Sequence, residues 1–179
     1  MAVPATDLQR AVRYVTGDAT APEGDGLKVI IHCCNNIGTW GAGFVLALSA
    51  KWMRPEIEYR QWHRNRKERG EEELPLGGMQ LVPVEDDIYV ANIIGQHGIR
   101  TAKGGVPPIR YEAIEKGFGY IAQFACDHPE KRVSIHAPRL GCNLAGGSWA
   151  KIEPLIDRYF VTKEIPVTVY DWPGSRFNP

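Results

Sequence analysis

The chain has 179 residues, of which 44% are hydrophobic and 23% are charged, and both values are ordinary for a globular protein. This length suffices for one α/β domain with a substantial core, so we expect residues 1–179 to form a single domain. The 21 basic and 21 acidic residues balance to zero net charge. The composition therefore gives no strong signal for nucleic-acid binding.

The four cysteines have neither metal-ligand nor disulfide spacing, since Cys33 and Cys34 are adjacent and Cys126 and Cys142 stand apart. Reduced thiols of this kind are typical of the cytoplasm. The sequence starts without a basic segment followed by an apolar run, and it has no apolar stretch of membrane-spanning length. We therefore expect a cytoplasmic protein that has no membrane partner.

The hydrophobic pattern predicts strands that alternate with helices along the chain. In chain order the predicted elements are a strand over 12–16, a strand over 27–34, a helix over 44–52, a helix over 56–69 after Pro55, strands over 77–84 and 88–94, a helix over 109–127 started by the Pro107-Pro108 pair, a strand over 132–137, a helix over 149–159 and a strand over 167–170. This order predicts an α/β fold with a central mixed sheet, helices on both faces and a ligand at the carboxyl ends of the strands.

Two glycine-rich stretches, residues 35–44 (loop 1) and residues 139–149 (loop 2), each follow a β-branched apolar run and lead into a predicted helix. Glycines let backbone N–H groups approach a phosphate, and a helix N-terminus adds partial positive charge. One such stretch is weak evidence for a phosphate site. Two in one small domain predict a ligand whose diphosphate lies between them.

With both loops on that framework, the chain resembles the macrodomain family, and in particular the branch with ADP-ribose-1''-phosphate phosphatases and terminal ADP-ribose glutamate hydrolases. The resemblance follows the family's order over nearly the whole chain. It is carried by residues 14–20 (YVTGDAT), 32–35 (HCCN), 38–43 (GTWGAG), 138–142 (PRLGC), Trp149 and 167–170 (VTVY). It implies a three-layer α/β/α fold that binds ADP-ribose or a phosphorylated derivative.

The resemblance also implies a role for individual residues in the ligand site. Asp18 would accept a hydrogen bond from the adenine amino group beside the Ala19 backbone, and Tyr170 or Trp172 would stack on the adenine. Asn35 and Asn36 would position the distal ribose. The residues implied to surround the distal ribose and the phosphates are Gly41, Ala42, Gly43 and Phe44 of loop 1 and Gly141, Cys142, Asn143, Leu144, Ala145, Gly146 and Gly147 of loop 2.

The resemblance is incomplete at the positions that support covalent chemistry. In the terminal glutamate hydrolases a lysine follows the strand that corresponds to 88–94, and an aspartate lies in the second loop. This chain has Gly95-Gln96 and Ala145 near those positions. A covalent lysine mechanism is therefore not expected, although Lys103 lies in the neighbouring loop.

The remaining chemistry is attack of water on a phosphate at the distal ribose, for which positioning and preorganised N–H donors suffice. We predict metal-independent hydrolysis of ADP-ribose-1''-phosphate or its 1'',2''-cyclic phosphate, with no cofactor. The candidates to orient water or protonate the leaving oxygen are Asn36, Thr39, Gln96 and His97. A surface-loop role for Gln96 and His97 is an equal alternative.

Simpler roles compete with several of these assignments. Asp18 also fits a turn former, and Arg139 fits either a phosphate ligand or a salt bridge that anchors loop 2. His32, inside an apolar strand, is expected to be a core histidine. Cys142 is expected to be a small turn residue rather than a nucleophile, and the two tryptophans beside the loops, Trp40 and Trp149, are expected to pack beneath them.

Three other functions remain open for the whole protein. The absent lysine and aspartate favour a non-catalytic reader of ADP-ribose, and a hydrolase that removes ADP-ribose from modified macromolecules is a weaker alternative. The basic segment 60–69 suggests an RNA-associated protein. Because Glu71, Glu72 and Glu73 follow that segment directly, a solvated helical face is the better interpretation.

Overall fold

The structure is a computed structural model, and it describes residues 11–175. Six strands and four helices form its regular part, together with two short 3-10 turns at Pro129–Lys131 and Val161–Lys163. The strands are β1 (Arg13–Thr16), β2 (Lys28–Asn35), β3 (Met79–Glu85), β4 (Ile88–Gln96), β5 (Ser134–Ala137) and β6 (Val167–Asp171), and the helices are α1 (Phe44–Lys51), α2 (Arg54–Glu68), α3 (Tyr111–Asp127) and α4 (Trp149–Tyr159).

All six strands belong to one mixed sheet in the order β1-β6-β5-β2-β4-β3. Neighbouring strands are parallel, apart from β3, which runs antiparallel to β4 at one edge. The carboxyl ends of β2, β4, β5 and β6 therefore lie at the same edge of the sheet. The predicted α/β class and mixed sheet are confirmed.

Strand β2 separates two hydrophobic cores because its apolar residues point alternately to the two faces of the sheet. Val29 and Ile31 belong to a core that contains residues of α3 and α4. Ile30 belongs to a second core on the opposite face, where Leu48 of α1 and Tyr59 of α2 pack. These five side chains are fully buried. The three-layer α/β/α arrangement is thus confirmed.

All predicted bounds of the strands and helices, including the start of α3, agree with the structure to within two residues. Helix α3 begins at Tyr111 and not at Ile109, because the backbone before it is already paired. The Ile109 N–H donates to the Ala145 carbonyl at 3.1 Å, and the Arg110 N–H donates to the Gly95 carbonyl at 2.8 Å. These bonds attach the start of α3 to loop 2 and to the end of β4.

None of the helices within residues 11–175 is both long and apolar enough to cross a membrane. These residues also contain no group of three or more histidine, cysteine or acidic side chains placed to hold a metal ion.

Candidate ligand cavity

A cavity of about 410 Å³ lies at the carboxyl ends of β2, β4, β5 and β6, between loop 1 and loop 2. This is the sheet edge at which parallel α/β proteins bind ligands. Its lining consists of His32, Cys33, Ala42, Gly43, Phe44, Val45, Gln96, Pro138, Arg139, Leu140, Gly141, Cys142, Asn143, Leu144, Ala145, Tyr170, Asp171, Trp172 and Ser175. Both glycine loops thus face one space, as their positions in the sequence predict.

The predicted site residues divide into two groups by their position relative to this cavity. The cavity wall contains Ala42, Gly43, Phe44, Gln96, Arg139, Gly141, Cys142, Asn143, Leu144, Ala145, Tyr170 and Trp172. The predicted residues outside the wall are Asp18, Ala19, Asn35, Asn36, Thr39, Gly41, His97, Gly146 and Gly147. For this second group a direct ligand contact stays a prediction.

Asn35 holds the turn of loop 1 with its side chain. Its Oδ1 accepts hydrogen bonds from the backbone N–H groups of Ile37 and Thr39, and its Nδ2 donates to the Thr39 carbonyl at 2.7 Å. The hydroxyl of buried Tyr59 donates towards the carbonyl and Oδ1 of Asn35, at 2.7 and 2.8 Å. Asn35 therefore holds the shape of loop 1 from beneath. Thr39 is exposed and contacts the Asn35 side chain through its backbone.

Trp40 closes a ring of hydrogen bonds that joins loop 1 to α1 and α2. Its indole N–H donates to Ser49 Oγ, and the Ser49 hydroxyl donates to Glu56 Oε2, both at 2.8 Å. The Arg60 guanidinium donates to Glu56 Oε1 and, at 2.9 Å, to the Trp40 carbonyl. Trp40 is 6% exposed. Its expected role as packing beneath the loop is confirmed.

Loop 1 presents the start of α1 to the cavity. Gly43 is the N-cap of α1 with φ +79°, a conformation that favours glycine. A Cβ built on Gly43 would lie 3.1 Å from Leu144 Cδ1, so loop 2 reaches loop 1 at this point. Phe44 and Val45 also line the cavity. The combination of glycine backbone and helix start fits an anion site.

Loop 2 is held mainly by its own backbone. The N–H groups of Cys142, Gly146 and Gly147 donate to the carbonyls of Arg139, Asn143 and Gly141, respectively. Helix α4 begins only at Trp149, beyond Ala145, the last residue of loop 2 in the cavity wall. Residues 146–148 therefore lie between the cavity wall and α4, and a contact of the α4 N-terminus with the ligand stays a prediction.

Tyr170 lies at the end of the cavity that β6 forms, where the resemblance places the adenine. Its hydroxyl is 2.7 Å from His136 Nδ1, and Ser134 Oγ is 2.9 Å from His136 Nε2. Burial lowers the pKa of His136 to about 4, and Lys28 contributes further. His136 is therefore neutral near pH 7 and holds Tyr170 in one orientation. Trp172, in contrast, is 59% exposed.

Arg139 forms a salt bridge, which is the predicted alternative to its role as a phosphate ligand. It donates two hydrogen bonds to the Asp171 carboxylate, at 2.8 and 2.9 Å, so it ties loop 2 to the end of β6. Its guanidinium also lies over the rings of Tyr14 and Trp149, at 4.7 and 4.9 Å from the ring centroids. The hydrogen bonds from Arg139 lower the pKa of Asp171. Trp149 is 5% exposed, which confirms its packing role.

Asp18 adopts the turn-forming role that competes with adenine recognition. Its Oδ1 accepts hydrogen bonds from the backbone N–H and the hydroxyl of Thr20, both at 2.8 Å. The neighbouring Ala19 is buried. These contacts fix the carboxylate at the end of β1, and contact with adenine stays a prediction.

His32 belongs to a buried chain of polar groups beneath the cavity. Asn92 Nδ2 donates to the Pro55 carbonyl and to Gln80 Oε1, so its Oδ1 is left to accept from His32 Nε2 at 2.6 Å. Burial lowers the pKa of His32 to about 4, although the Asn92 hydrogen bond opposes this. The expected core role is confirmed, and His32 also contributes to the cavity floor.

The two cysteines in the cavity wall are poor nucleophiles at neutral pH. Burial raises the pKa of Cys33 to about 12 and that of Cys142 to about 11. Both are therefore thiols rather than thiolates at pH 7. This agrees with the expectation that Cys142 is a turn residue.

The positions where related hydrolases have a lysine and an aspartate are occupied differently here. A Cβ built on Gly95 would lie 2.7 Å from both Cys33 Sγ and Ile114 Cγ1, so position 95 has no room for a side chain. Gln96 follows it and lines the cavity. Ala145 is 3% exposed and offers only a methyl group.

Asn36 is buried and hydrogen-bonded to two other segments of the chain. Its Nδ2 donates to Glu73 Oε2 at 3.0 Å and lies 3.1 Å from His97 Nδ1, and its Oδ1 accepts from the Gly98 N–H. Exposed His97 follows Gln96 at the cavity wall. The structure thus brings Asn36, Gln96 and His97 together, with only Gln96 in the cavity wall. The contacts of Thr39 are instead with Asn35.

Several residues of the cavity wall were not predicted. They are His32, Cys33, Val45, Pro138, Leu140, Asp171 and Ser175. Pro138 and Asp171 lie at or directly after the carboxyl end of a strand, and His32 and Cys33 lie within the last four residues of β2. That position alone was a usable signal, because the ligand was expected at this edge of the sheet.

Solved structures similar to this protein cover most of the chain. A protein of unknown function from Bacteroides thetaiotaomicron is 51% identical, with a TM-score of 0.82, over 90% of this chain and 98% of that chain. A macrodomain protein from Streptomyces coelicolor is 48% identical, with a TM-score of 0.75, over 90% of this chain and 99% of that chain. Thermosipho africanus DarTG in complex with ADP-ribose shares the fold at 21% identity, with a TM-score of 0.63, over 86% of this chain and 40% of that chain.

The curated relatives are much longer than this chain. Chromodomain-helicase-DNA-binding protein 1-like of Mus musculus is 31% identical over 175 residues, which is 93% of this chain and 18% of that protein. The Danio rerio protein of the same name is also 31% identical, over 89% of this chain and 15% of its own length. No protein-family profile matches the chain. The extensive similarity to the Streptomyces coelicolor protein nevertheless shows that this chain belongs to the macrodomain family.

Proposed function

We propose that the cavity binds ADP-ribose with its diphosphate between loop 1 and loop 2. The observation that carries this proposal is that both glycine loops line one cavity of about 410 Å³ whose far end is formed by Tyr170 and Trp172. Backbone N–H groups of glycine loops suit a diphosphate, and aromatic rings suit a purine. ADP-ribose contains both a diphosphate and an adenine, and a ribose joins them.

The proposed orientation places the adenine beside Tyr170 and the distal ribose beside Gln96. Asp18 would accept a hydrogen bond from the adenine amino group through Oδ2, because its Oδ1 already accepts from Thr20. The distal ribose would then lie near the segment that contains Gln96 and His97. Asn36 supports that segment from behind.

We further propose that the protein hydrolyses a phosphate ester of ADP-ribose at the distal ribose, as the 1''-phosphate or the 1'',2''-cyclic phosphate. Support comes from the polar Gln96-His97 segment at the cavity and from the Gly95 and Ala145 positions, which lack groups for covalent attack on the ribose. The reaction would be metal-independent, with loop N–H groups stabilising charge on the phosphate.

The binding proposal is tested by calorimetric titration of the full chain with ADP-ribose. Asp18→Asn retains an Oδ1 acceptor for the Thr20 turn but replaces Oδ2 by an N–H donor, so the affinity should fall by about tenfold. Asp25→Asn, in the exposed connector before β2, is the matched control and should bind normally. Absence of ADP-ribose binding by the unmodified protein would contradict the proposal.

The catalytic proposal is tested with the 1''-phosphate and the cyclic phosphate as separate substrates. Turnover of either one, retained in the presence of a metal chelator, supports it. Turnover of neither substrate and of no ADP-ribosylated macromolecule, together with tight ADP-ribose binding, would instead establish a reader. The complete hydrogen bonding of the Asn36 side chain within the protein favours this second candidate.

A third arm of the experiment addresses modified macromolecules. Incubation with ADP-ribosylated protein and with ADP-ribosylated nucleic acid measures release of free ADP-ribose. Release from either, without turnover of the two phosphates, would assign the site to removal of ADP-ribose from macromolecules.

A cytoplasmic location of the protein stays a prediction.

A further inference from the structure

Three separate segments of the chain meet at Asn36. The segment 71–74 precedes β3, the segment 96–98 follows the core of β4, and Asn36 itself belongs to loop 1. The Asn36 backbone N–H donates to the Gln96 carbonyl at 3.0 Å, and its carbonyl accepts from the Leu74 N–H at 2.8 Å. The Asn36 side chain is fully buried between these segments.

The orientation of the Asn36 amide is fixed on both sides by its partners. A backbone N–H can only donate, so the Asn36 atom 2.8 Å from the Gly98 nitrogen is the oxygen Oδ1. A carboxylate can only accept, so the atom 3.0 Å from Glu73 Oε2 is the nitrogen Nδ2. The two requirements agree and leave no alternative flip of the amide.

This orientation determines the tautomer of His97. The Asn36 amide nitrogen carries two hydrogens, of which one is directed to Glu73 and the other to His97 Nδ1 at 3.1 Å. His97 Nδ1 therefore accepts a hydrogen bond and carries no proton. In neutral His97 the ring proton is consequently on Nε2, the nitrogen remote from Asn36.

We infer that Glu73, acting through Asn36, holds His97 as an Nε2–H donor for the distal phosphate of the ligand. This inference rests on the proposed function for the identity of the ligand. His97 directly follows Gln96, which lines the cavity. Glu73 and Asn36 are positioning residues, and Glu73 belongs to an acidic run that the sequence suggests is only a solvated surface.

The tautomer also restricts what His97 does in catalysis. Loss of the Nε2 proton from a neutral imidazole would leave an imidazolate, so this form donates a hydrogen bond without transferring its proton. A second proton on Nδ1 would face the Asn36 N–H and break their contact. His97 therefore stabilises negative charge on the phosphate as a fixed donor, and the leaving oxygen takes its proton from water.

The first test is a long-range proton–nitrogen correlation spectrum of nitrogen-15-labelled, ligand-free protein at a pH where His97 is neutral. The proton should be on Nε2 in the unmodified protein. Glu73→Ala leaves the Asn36 amide held by the Gly98 N–H alone, so its contact with His97 should loosen and His97 should shift towards a mixture of tautomers. Glu73→Gln, which retains an acceptor oxygen, should preserve the Nε2–H form. Glu72→Ala is the matched control, because the Glu72 backbone carbonyl, and not its side chain, makes the hydrogen-bond contact with His63.

The second test separates hydrogen-bond donation from proton transfer. Gln in place of His97 carries an N–H donor near the Nε2 position but cannot act as an acid. With ADP-ribose-1''-phosphate as substrate, His97→Ala should lower kcat by about a hundredfold. His97→Gln should recover about a tenth of the activity or more. Glu73→Ala should lower kcat by about tenfold with ADP-ribose affinity unchanged, and Glu73→Gln should restore it.

The two tests distinguish failure of this inference from failure of the proposed function. A wild-type spectrum with the proton on Nδ1, or an unchanged tautomer in Glu73→Ala, overturns the inference even if the phosphate is hydrolysed. Equal inactivity of His97→Gln and His97→Ala overturns the donor role. The expected tautomer without turnover of either phosphate overturns the proposed function, while the positioning of His97 by Glu73 and Asn36 stands.

Discussion

The two glycine loops face the same cavity but are held in place by different kinds of contact. Loop 1 depends on side chains from elsewhere in the chain, since Tyr59 and Arg60 of α2 hydrogen-bond to Asn35 and Trp40. Loop 2 depends mainly on its own backbone, through bonds such as Gly147 N–H to the Gly141 carbonyl at 2.8 Å. In the described part of the chain, side-chain hydrogen bonds tie it only near its two ends, from Arg139 to Asp171 and from the Ser148 N–H to the Tyr111 hydroxyl. The loops resemble each other in sequence much more than in their support.

This difference predicts which substitutions destabilise each loop. A loop held by side chains tolerates a change of a glycine that has open space and no positive φ, such as Gly41, but loses its shape when a distant polar partner is removed. A loop held by backbone contacts needs glycine at the points of close approach and tolerates changes of its exposed side chains. Matched substitutions in the two loops therefore test the comparison directly.

The largest effect is expected from acid, which acts on the strands beneath both loops. His32 in β2 precedes loop 1, His136 in β5 precedes loop 2, and burial lowers the pKa of each to about 4. The ordinary histidine pKa is 6.5, so between about pH 6.5 and 4 the unfolded chain binds protons that the folded protein does not. The free energy of unfolding should therefore fall as the pH decreases through this window.

Each histidine should contribute up to about 3 kcal/mol of this loss. Urea unfolding at a series of pH values measures it, and His136→Asn should make the dependence on pH less steep. A free energy of unfolding that is constant from pH 6.5 to 4 would contradict the burial of both rings. A dependence unchanged in His136→Asn would assign it to the strand beneath loop 1 alone.

The next largest effect is expected at Gly147 in loop 2. A Cβ at this position would lie 2.4 Å from both the Gly141 carbonyl oxygen and Ile109 Cδ1, so the loop backbone has to move. Gly147→Ala should lower the free energy of unfolding by about 2 to 3 kcal/mol in urea titrations. The matched control is Gly41→Ala in loop 1, where an added Cβ meets nothing within 4 Å. Equal stability of the two variants would remove the distinction between the loops.

The third-largest effect is expected in loop 1, where removal of a side chain should lower the free energy of unfolding more than in loop 2. Asn35→Ala removes the side chain that shapes loop 1 and leaves one acceptor fewer for the buried Tyr59 hydroxyl. It should cost about 2 kcal/mol of unfolding free energy, again measured in urea. Asn143→Ala, at an exposed position of loop 2, should change stability by less than about 0.5 kcal/mol. A larger loss for Asn143→Ala than for Asn35→Ala would show that loop 2 also depends on side chains.

The same distinction explains what the sequence could predict. The strands and helices were predictable because local patterns define them, such as the apolar run of β2 that is buried on both faces. The start of α3, two residues after its predicted position, depends on hydrogen bonds from Ile109 and Arg110 to residues of loop 2 and β4. Hydrogen bonds between residues that are distant in the sequence cannot be predicted from a local pattern.

The cavity was predictable to the extent that backbone forms it. Glycines after two strands indicated both loops, and their residues make up much of the wall. The supporting side chains were not predictable, because Asn36 meets Glu73 across 37 positions and Asn35 meets Tyr59 across 24. Glu73 looked like surface charge, and only the folded arrangement shows it bonded to a buried amide.

The smallest predicted effect concerns the hydrogen-bonded ring around Trp40. Ser49→Ala removes both the acceptor for the Trp40 indole N–H and the donor to Glu56, while Arg60 still links Glu56 to the Trp40 carbonyl. Because part of the ring remains, the free energy of unfolding should fall by only about 1 kcal/mol.

Ser148→Ala at the end of loop 2 is the control for this prediction. Ser148 occupies the N-cap position of α4, but its side chain makes no capping hydrogen bond, so the substitution should change stability by less than about 0.5 kcal/mol. Urea unfolding followed by tryptophan fluorescence measures both variants. If Ser148→Ala proves the more destabilising, side chains contribute more to loop 2 than its hydrogen bonds indicate, and the two loops differ less in their support.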